Sequence, residues 1–172
     1  MRLGEALLHL GDRAGARAQL DQALELAHVS TVPQHLLFIV YGVLLHVPEE
    51  PEQALALVDQ AETLFDPRWV CQFCPTAYHV AAATVCARAG ELERSRAFIE
   101  RADSGARGWL SGPWPAALAE ARAELLLAEG DSGAAGLALR RAVEGYAAAG
   151  QLLNERRARA ALERLGDAQV MR

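Results

Sequence analysis

The chain has 172 residues, the size of one ordinary domain, and 52% of them are apolar although only 6% are aromatic. Ala, Leu, Arg and Glu dominate, and this composition favours helices because these side chains lose little conformational freedom in one. The net charge of −5 is uneven, since residues 1–66 carry three Arg against ten acids and residues 67–172 carry fourteen against twelve. An acidic first third and the lack of a basic stripe argue against direct nucleic-acid binding.

The opening residues show no signal-peptide pattern, and the longest strongly apolar stretch, residues 36–45, is about half of a membrane span. We therefore expect a cytoplasmic protein without a membrane partner. Three cysteines, an odd number, argue against a disulfide framework.

Four successive segments each predict an amphipathic helix, a Gly or acidic turn, and a second helix with small residues on its inner face. The predicted pairs occupy residues 1–29, 34–66, 75–104 and 115–149, and a terminal helix covers 152–166, all within one domain of residues 1–172. A small residue recurs in the second helix of each pair, at Ala16, Ala54, Ser95 and Ala135. It should let the two helices of a pair approach closely.

The links after the second and third pairs share a pattern. Trp69 lies six residues before Pro75, and Trp109 lies six before Pro115. Pro is favoured at the start of a helix because its missing N–H has no helical partner to lose. Each link thus predicts a loop whose Trp covers the seam between neighbouring pairs.

These segments resemble the tetratricopeptide repeat. In the first segment the matching residues are Leu3, Gly4, Leu7, Gly11, Ala16, Leu20 and Ala23, and in the fourth they are Ala123, Leu127, Gly130, Ala135, Leu139 and Ala142. The resemblance implies an all-α, right-handed superhelix of about four helix pairs with a C-terminal capping helix. The small residues recur every 38 to 41 residues, which is longer than the usual period of that repeat.

The ending from Arg140 to Gly166 also resembles the helical C-terminal regions of bacterial signal-transduction ATPases and transcription regulators of the LuxR or MalT type. The phosphate-binding GxxxxGK[ST] loop and a helix-turn-helix are missing from this chain. The ATPase and DNA-binding activities of those regulators therefore do not carry over.

In tetratricopeptide arrays the first helices line a concave groove that touches the ligand. Carried across by register, the predicted groove residues are Glu5, His9, Ile39, Val43, His46, Val80, Thr84, Arg88, Glu120, Glu124 and Arg156. An apolar middle flanked by Arg88 and two glutamates would suit an amphipathic helix or an extended peptide. The alternative is that some of these residues only pack against neighbouring helices or face water.

Cys71 and Cys74 form a C-x-x-C motif, which can hold one edge of a metal site or act as a redox pair. A zinc site would need further ligands, and His79 and Cys86 are seven residues apart on a helix, about 10 Å along its axis. We therefore expect no metal or other cofactor, and interpret both cysteines as small apolar residues of the connector. A zinc half-site or a redox switch remains the alternative.

Together these features predict a protein- or peptide-binding scaffold, a partner-sensing module of a bacterial transcriptional or signalling regulator. A thiol- or metal-responsive sensor and a self-associating structural module, forming a homo-oligomer, are the alternatives. An enzyme is least favoured, because no nucleophile, base and orienting group are marked out together.

Overall fold

A computed structural model describes residues 1–66, 68, 71, 73–107 and 112–170, without the side chains of 168–170. Every regular element in these residues is a helix, which confirms the all-α prediction. The helices are α1 (Arg2–His9), α2 (Arg13–His28), α3 (Pro33–Leu44), α4 (Pro51–Leu64), α5 (Thr76–Arg88), α6 (Leu92–Ala106), α7 (Trp114–Ala128), α8 (Ser132–Ala148) and α9 (Leu152–Val170). The predicted roles of Trp69 and Trp109 in the connectors lie outside the described residues.

Helices α1, α5, α7 and α8 end in the same glycine turn. In α5, the N–H of Gly90 donates to the carbonyl of Ala87, and the N–H of Glu91 donates to the carbonyl of Cys86. This pair of bonds satisfies the last carbonyls of the helix and needs a residue with positive φ, which Gly adopts without strain. The four turn glycines are Gly11, Gly90, Gly130 and Gly150, with φ of 82°, 80°, 85° and 67°.

The small residues lie where pairs of helices meet. Ala16, Ser95 and Ala135 are fully buried, and Ala54 is 5% exposed. Ser95 also donates from its hydroxyl to the carbonyl of Ala83 at 2.9 Å, which joins α6 to α5. These positions need small side chains because a larger one would push the paired helices apart.

Helix α3 also meets α5 through a close backbone approach. A Cβ atom added at Gly42 would lie 3.1 Å from the backbone carbonyl carbon of Ala77. Along the chain α2 packs on α3, α3 on α5, and α5 on both α6 and α7, while α7 packs on α8 and α8 on α9. Alternate helices α3, α5 and α7 are therefore direct neighbours.

One buried core runs from α2 to α7, and a smaller cluster joins α7, α8 and α9. The centre of the larger core is aromatic: the ring centroids of Phe38 and Phe65 lie 4.0 Å apart, those of Phe65 and Tyr78 lie 4.7 Å apart, and those of Tyr78 and Phe98 lie 5.8 Å apart. Such contacts stabilise by roughly 0.5–1.5 kcal/mol each beyond the area they bury. The aromatic centre of this core is therefore built around Tyr78 of α5.

Two leucines that the repeat register assigns to matching positions are exposed. Leu3 is 56% exposed and Leu127 is 37% exposed, whereas the neighbouring Leu125 is buried. Leu125 and Leu127 are two residues apart on α7, which rotates one side chain about 200° from the other, while Ala123 of the same register is fully buried. Within the described residues, no helix has the length and apolar character needed to cross a membrane.

Candidate functional site

The predicted groove residues lie on or directly after alternate helices of the chain. Glu5 and His9 lie on α1, Ile39 and Val43 on α3 with His46 just after it, Val80, Thr84 and Arg88 on α5, Glu120 and Glu124 on α7, and Arg156 on α9. We call the surface formed by these residues, together with the side chains that link them from one of these helices to the next, the first-helix face. Three observations define it: the surroundings of His46, and two charged clusters that cross from one helix to another.

The pKa of His46 responds to titratable groups on four other helices. Its ring is exposed to solvent, yet its pKa is lowered, first by desolvation from the protein around it and then by the positive charge of Arg157. Arg88 and His9 lower the pKa further, and Glu120 opposes them. Charge–charge interactions of this kind reach about one Debye length, roughly 8–10 Å at physiological salt. Charged or titratable residues of α1, α5, α7 and α9 thus lie within electrostatic reach of the residue that follows α3.

The first charged cluster joins α5 to α7. The guanidinium of Arg88 donates to both carboxylate oxygens of Glu124, at 2.6 and 3.2 Å. The side chain of Glu124 is 20% exposed and that of Arg88 is 57% exposed. A two-pronged bond of this geometry fixes both side chains and holds the two helices in register.

The second charged cluster joins α7 to α9 and α8. Arg157 donates to the two carboxylate oxygens of Glu120 at 2.9 and 2.7 Å, and the hydroxyl of Tyr146 donates to Glu120 at 2.8 Å. Burial alone would raise the pKa of Glu120, but the bonds and charge of Arg157 outweigh it, and the pKa is lowered. The carboxylate is therefore held ionised by three donated hydrogen bonds.

Arg157 and Tyr146 are missing from the predicted groove set. Arg156, the predicted residue of α9, is exposed, and Arg157, one residue further on, makes the contact with Glu120. The spacing of charged residues along the sequence could have indicated Arg157. Arg88 and Glu124 are 36 residues apart, and Glu120 and Arg157 are 37 apart, so both contacts span close to one repeat.

The other predicted groove residues are less charged or lie apart. Val43 and Val80 are partly buried against the core, and Ile39 is half-buried. Thr84 donates from its hydroxyl to the carbonyl of Val80 at 3.2 Å. At the chain start, Glu5 accepts a hydrogen bond from Arg2, His9 is exposed, and both lie on the short helix α1. The apolar part of the face thus lies on α3 and α5, and its charged part on α5, α7 and α9.

The cysteines depart from the packing interpretation. Cys71 and Cys74 are joined by a disulfide, with their Cα atoms 5.8 Å apart, within the usual range for such a bond. Cys86 is free and fully buried in α5. Across the described part of the chain, no three His, Cys, Asp or Glu side chains are grouped where they could hold a metal ion.

His79 lies in the aromatic core rather than beside the cysteines as a ligand. Its ring centroid is 6.0 Å from that of Phe98 and 6.5 Å from that of Phe38. Desolvation, followed by the charge of Arg101, lowers the pKa of His79 to about 4. The imidazole is therefore neutral at pH 7.

Comparison with known protein families, with curated proteins and with solved structures finds no match to this chain.

Proposed function

We propose that the chain is a tetratricopeptide-like scaffold that binds a protein or peptide through its first-helix face. In this proposal the helices form a right-handed superhelix of four pairs, with α9 as the capping helix. The observation that supports it is the electrostatic environment of His46, because residues of α1, α5, α7 and α9 all act on this one residue after α3. A surface assembled from every repeat is the usual binding surface of a helical-repeat protein.

The chemistry of the face suggests the class of ligand. Ile39, Val43 and Val80 offer half-buried apolar surface, which a partner could cover further. The nearby charges of Arg88 and Glu124 neutralise one another, so the face offers polar partners without a strong net field. An amphipathic helix or an extended segment with alternating apolar side chains fits this combination.

The charged pairs of the face have a structural role in this proposal. Breaking the bond between Arg88 and Glu124, or that between Glu120 and Arg157, would loosen the contacts between successive first helices. Binding tests should therefore avoid these four residues, because their substitution would change stability and recognition together. His9 and His46 are exposed and suit a binding test better.

Membership of a bacterial regulator is a further part of the proposal. Its basis is the ending from Arg140 to Gly166, of which Tyr146 and Ala158 are buried and Gly150 forms the turn between α8 and α9. Residues that build a helix junction recur in many arrays with different partners. The resemblance thus supports the type of scaffold more strongly than a role in transcription or signalling.

The test uses two double variants with the same change in charge. His9→Glu/His46→Glu adds two carboxylates to the first-helix face, and Gln22→Glu/Gln60→Glu adds two to exposed positions on the second helices α2 and α4. Peptides selected from a displayed library against the wild-type protein are measured against all three proteins by fluorescence polarisation. Circular dichroism checks that each variant keeps its helices.

We expect the face variant to bind the selected peptides at least about 10-fold more weakly, a loss of about 1.4 kcal/mol, and the control to bind like the wild type. Equal binding by all three proteins would place the ligand elsewhere and refute the assignment of the face. Equal weakening of both variants would mean that overall charge, rather than this face, governs binding.

A further inference from the structure

The disulfide between Cys71 and Cys74 lies directly before α5. Cys74 precedes Pro75, the residue that caps the helix, and Thr76 is the first helical residue. The N-terminus of a helix carries partial positive charge because its first N–H groups lack helical partners. A sulfur anion formed at either cysteine would therefore lie near a helix end that favours negative charge.

The immediate contacts of Cys71 fit a thiolate. The backbone N–H of Cys74 donates to the sulfur of Cys71 at 3.3 Å. Two residues further on, Thr76 is 1% exposed, and its hydroxyl has no hydrogen-bond partner within the described residues. An unsatisfied buried hydroxyl is costly, so an unpaired polar group stands at the start of α5, two residues after the disulfide.

Access differs sharply among the three cysteines. Cys71 and Cys74 are half-buried and can be reached by small reagents, although the side chain of Cys74 also packs against the core. Cys86 is completely buried, and desolvation raises the pKa of its thiol to about 11. The molecule thus contains an accessible pair directly before α5 and an inert internal reference within α5.

We propose that Cys71 and Cys74 are a reversible thiol–disulfide exchange site whose co-substrate is a small thiol or dithiol. Reduction of the pair proceeds by two successive thiol–disulfide exchange steps. A thiolate of the co-substrate attacks one protein sulfur and breaks the Cys71–Cys74 bond, which leaves a mixed disulfide and one free protein thiolate. A second co-substrate thiolate then attacks the co-substrate sulfur of the mixed disulfide and releases the other protein thiolate. Two co-substrate thiols become one disulfide, and their two protons end on the protein cysteines.

In the reverse direction Cys71 is the attacking thiolate. Its sulfur accepts the N–H of Cys74, whereas the side chain of Cys74 lies against apolar neighbours. Hydrogen bonding favours the charged form and apolar surroundings disfavour it. Cys74 then closes the disulfide by displacing the co-substrate thiol from Cys71.

The experiment titrates the pair with dithiothreitol at different ratios of its reduced and oxidised forms. Cys86→Ala keeps the proposed pair, and Cys71→Ser/Cys74→Ser keeps only the buried cysteine. After acid quenching and unfolding, each protein is labelled with a polyethylene-glycol maleimide, and gel shifts count the free thiols. We expect Cys86→Ala to move reversibly between none and two labels, and the double variant to show one label throughout.

Alkylation of the native protein with iodoacetamide compares the reactivity of Cys71, Cys74 and Cys86. In the reduced wild type, Cys86 should react roughly 100-fold or more slowly than the pair, since a pKa of about 11 leaves little thiolate at neutral pH. Cys71 in Cys74→Ser should react several-fold faster than Cys74 in Cys71→Ser. Continued protection of Cys86 shows that each variant is folded.

Three outcomes would overturn the proposal. Two free thiols in Cys86→Ala at every ratio would mean that the disulfide does not form. A disulfide that excess reduced dithiothreitol cannot open in the native state would make the bond purely structural. Alkylation of Cys71 and Cys74 as slow as that of Cys86 would show that co-substrates cannot reach the pair.

Discussion

Histidine 79 should make the stability of this protein depend on pH in a defined window. Its pKa is about 4 in the folded chain, against an ordinary value of 6.5, because the ring is desolvated in the aromatic core and lies near Arg101. Between these two pH values the unfolded chain binds a proton that the folded chain does not. The free energy of unfolding should therefore fall as the pH is lowered from about 6.5 towards 4.

The size of the effect follows from the two pKa values. Lowering the pH from 7 to 5 should cost about 2 kcal/mol through His79 alone, and the full shift corresponds to roughly 3 kcal/mol. In a protein of this length, 2 kcal/mol lowers the melting temperature by roughly 4–8 °C. His46 titrates in the same direction but is exposed to solvent, so its contribution is smaller.

His79→Leu isolates the contribution of His79. Leucine fills a similar volume and removes an Nδ1 atom that has no hydrogen-bond partner within the described residues. We expect little loss of stability at pH 7, and a difference in favour of the variant that grows by about 2 kcal/mol at pH 5. Urea denaturation of both proteins at several pH values measures it, and the contribution of His46 cancels in the difference. Parallel pH curves for the two proteins would refute the reasoning.

The charged cluster and a close helix contact give further predictions, each measured by urea denaturation. Glu120→Gln removes the anion that Arg157 and Tyr146 contact, and it should lower the free energy of unfolding by about 1–3 kcal/mol. Tyr146→Phe removes one hydrogen bond to that anion and should lower it by about 1 kcal/mol. If Glu120→Gln were neutral, the cluster would not hold α7 to α9. Gly42→Ala should lower the free energy of unfolding by about 1–3 kcal/mol, because the added Cβ would lie 3.1 Å from the backbone of α5. The control Gly133→Ala should be neutral or stabilise the protein by up to about 1 kcal/mol. Equal effects of the two alanines would contradict the close approach.

The helices could be predicted from sequence because short-range features decide them. Gly11, Gly90 and Gly130 mark the turns inside three pairs, since a positive φ at a helix end strongly favours glycine. Pro33 and Pro51 begin helices for an equally local reason. The superhelical arrangement depends on rotations between pairs, which local patterns do not determine, and it stays a proposal.

The candidate site could be predicted only in part, because its contacts depend on helix rotation. Glu120, Glu124 and Arg88 do lie on facing helices, but their charges are already paired with Arg or Glu of a neighbour. Arg156 and Arg157 are adjacent, and only the packing of α9 decides which one points at Glu120. Compositional arguments against a disulfide framework likewise missed Cys71 and Cys74, because the bond depends on local geometry before α5.

The four glycine turns restrict the chirality of the residue that can end these helices. At Gly11, Gly90, Gly130 and Gly150 an added Cβ would meet no atom within 4 Å, so space does not limit the residue there. What excludes alanine is the positive φ, which an L-residue disfavours by roughly 1–2 kcal/mol. A D-alanine, whose preferred φ has the opposite sign, should avoid this backbone penalty and reduce the freedom of the unfolded chain. These helix ends therefore discriminate by chirality and not by size.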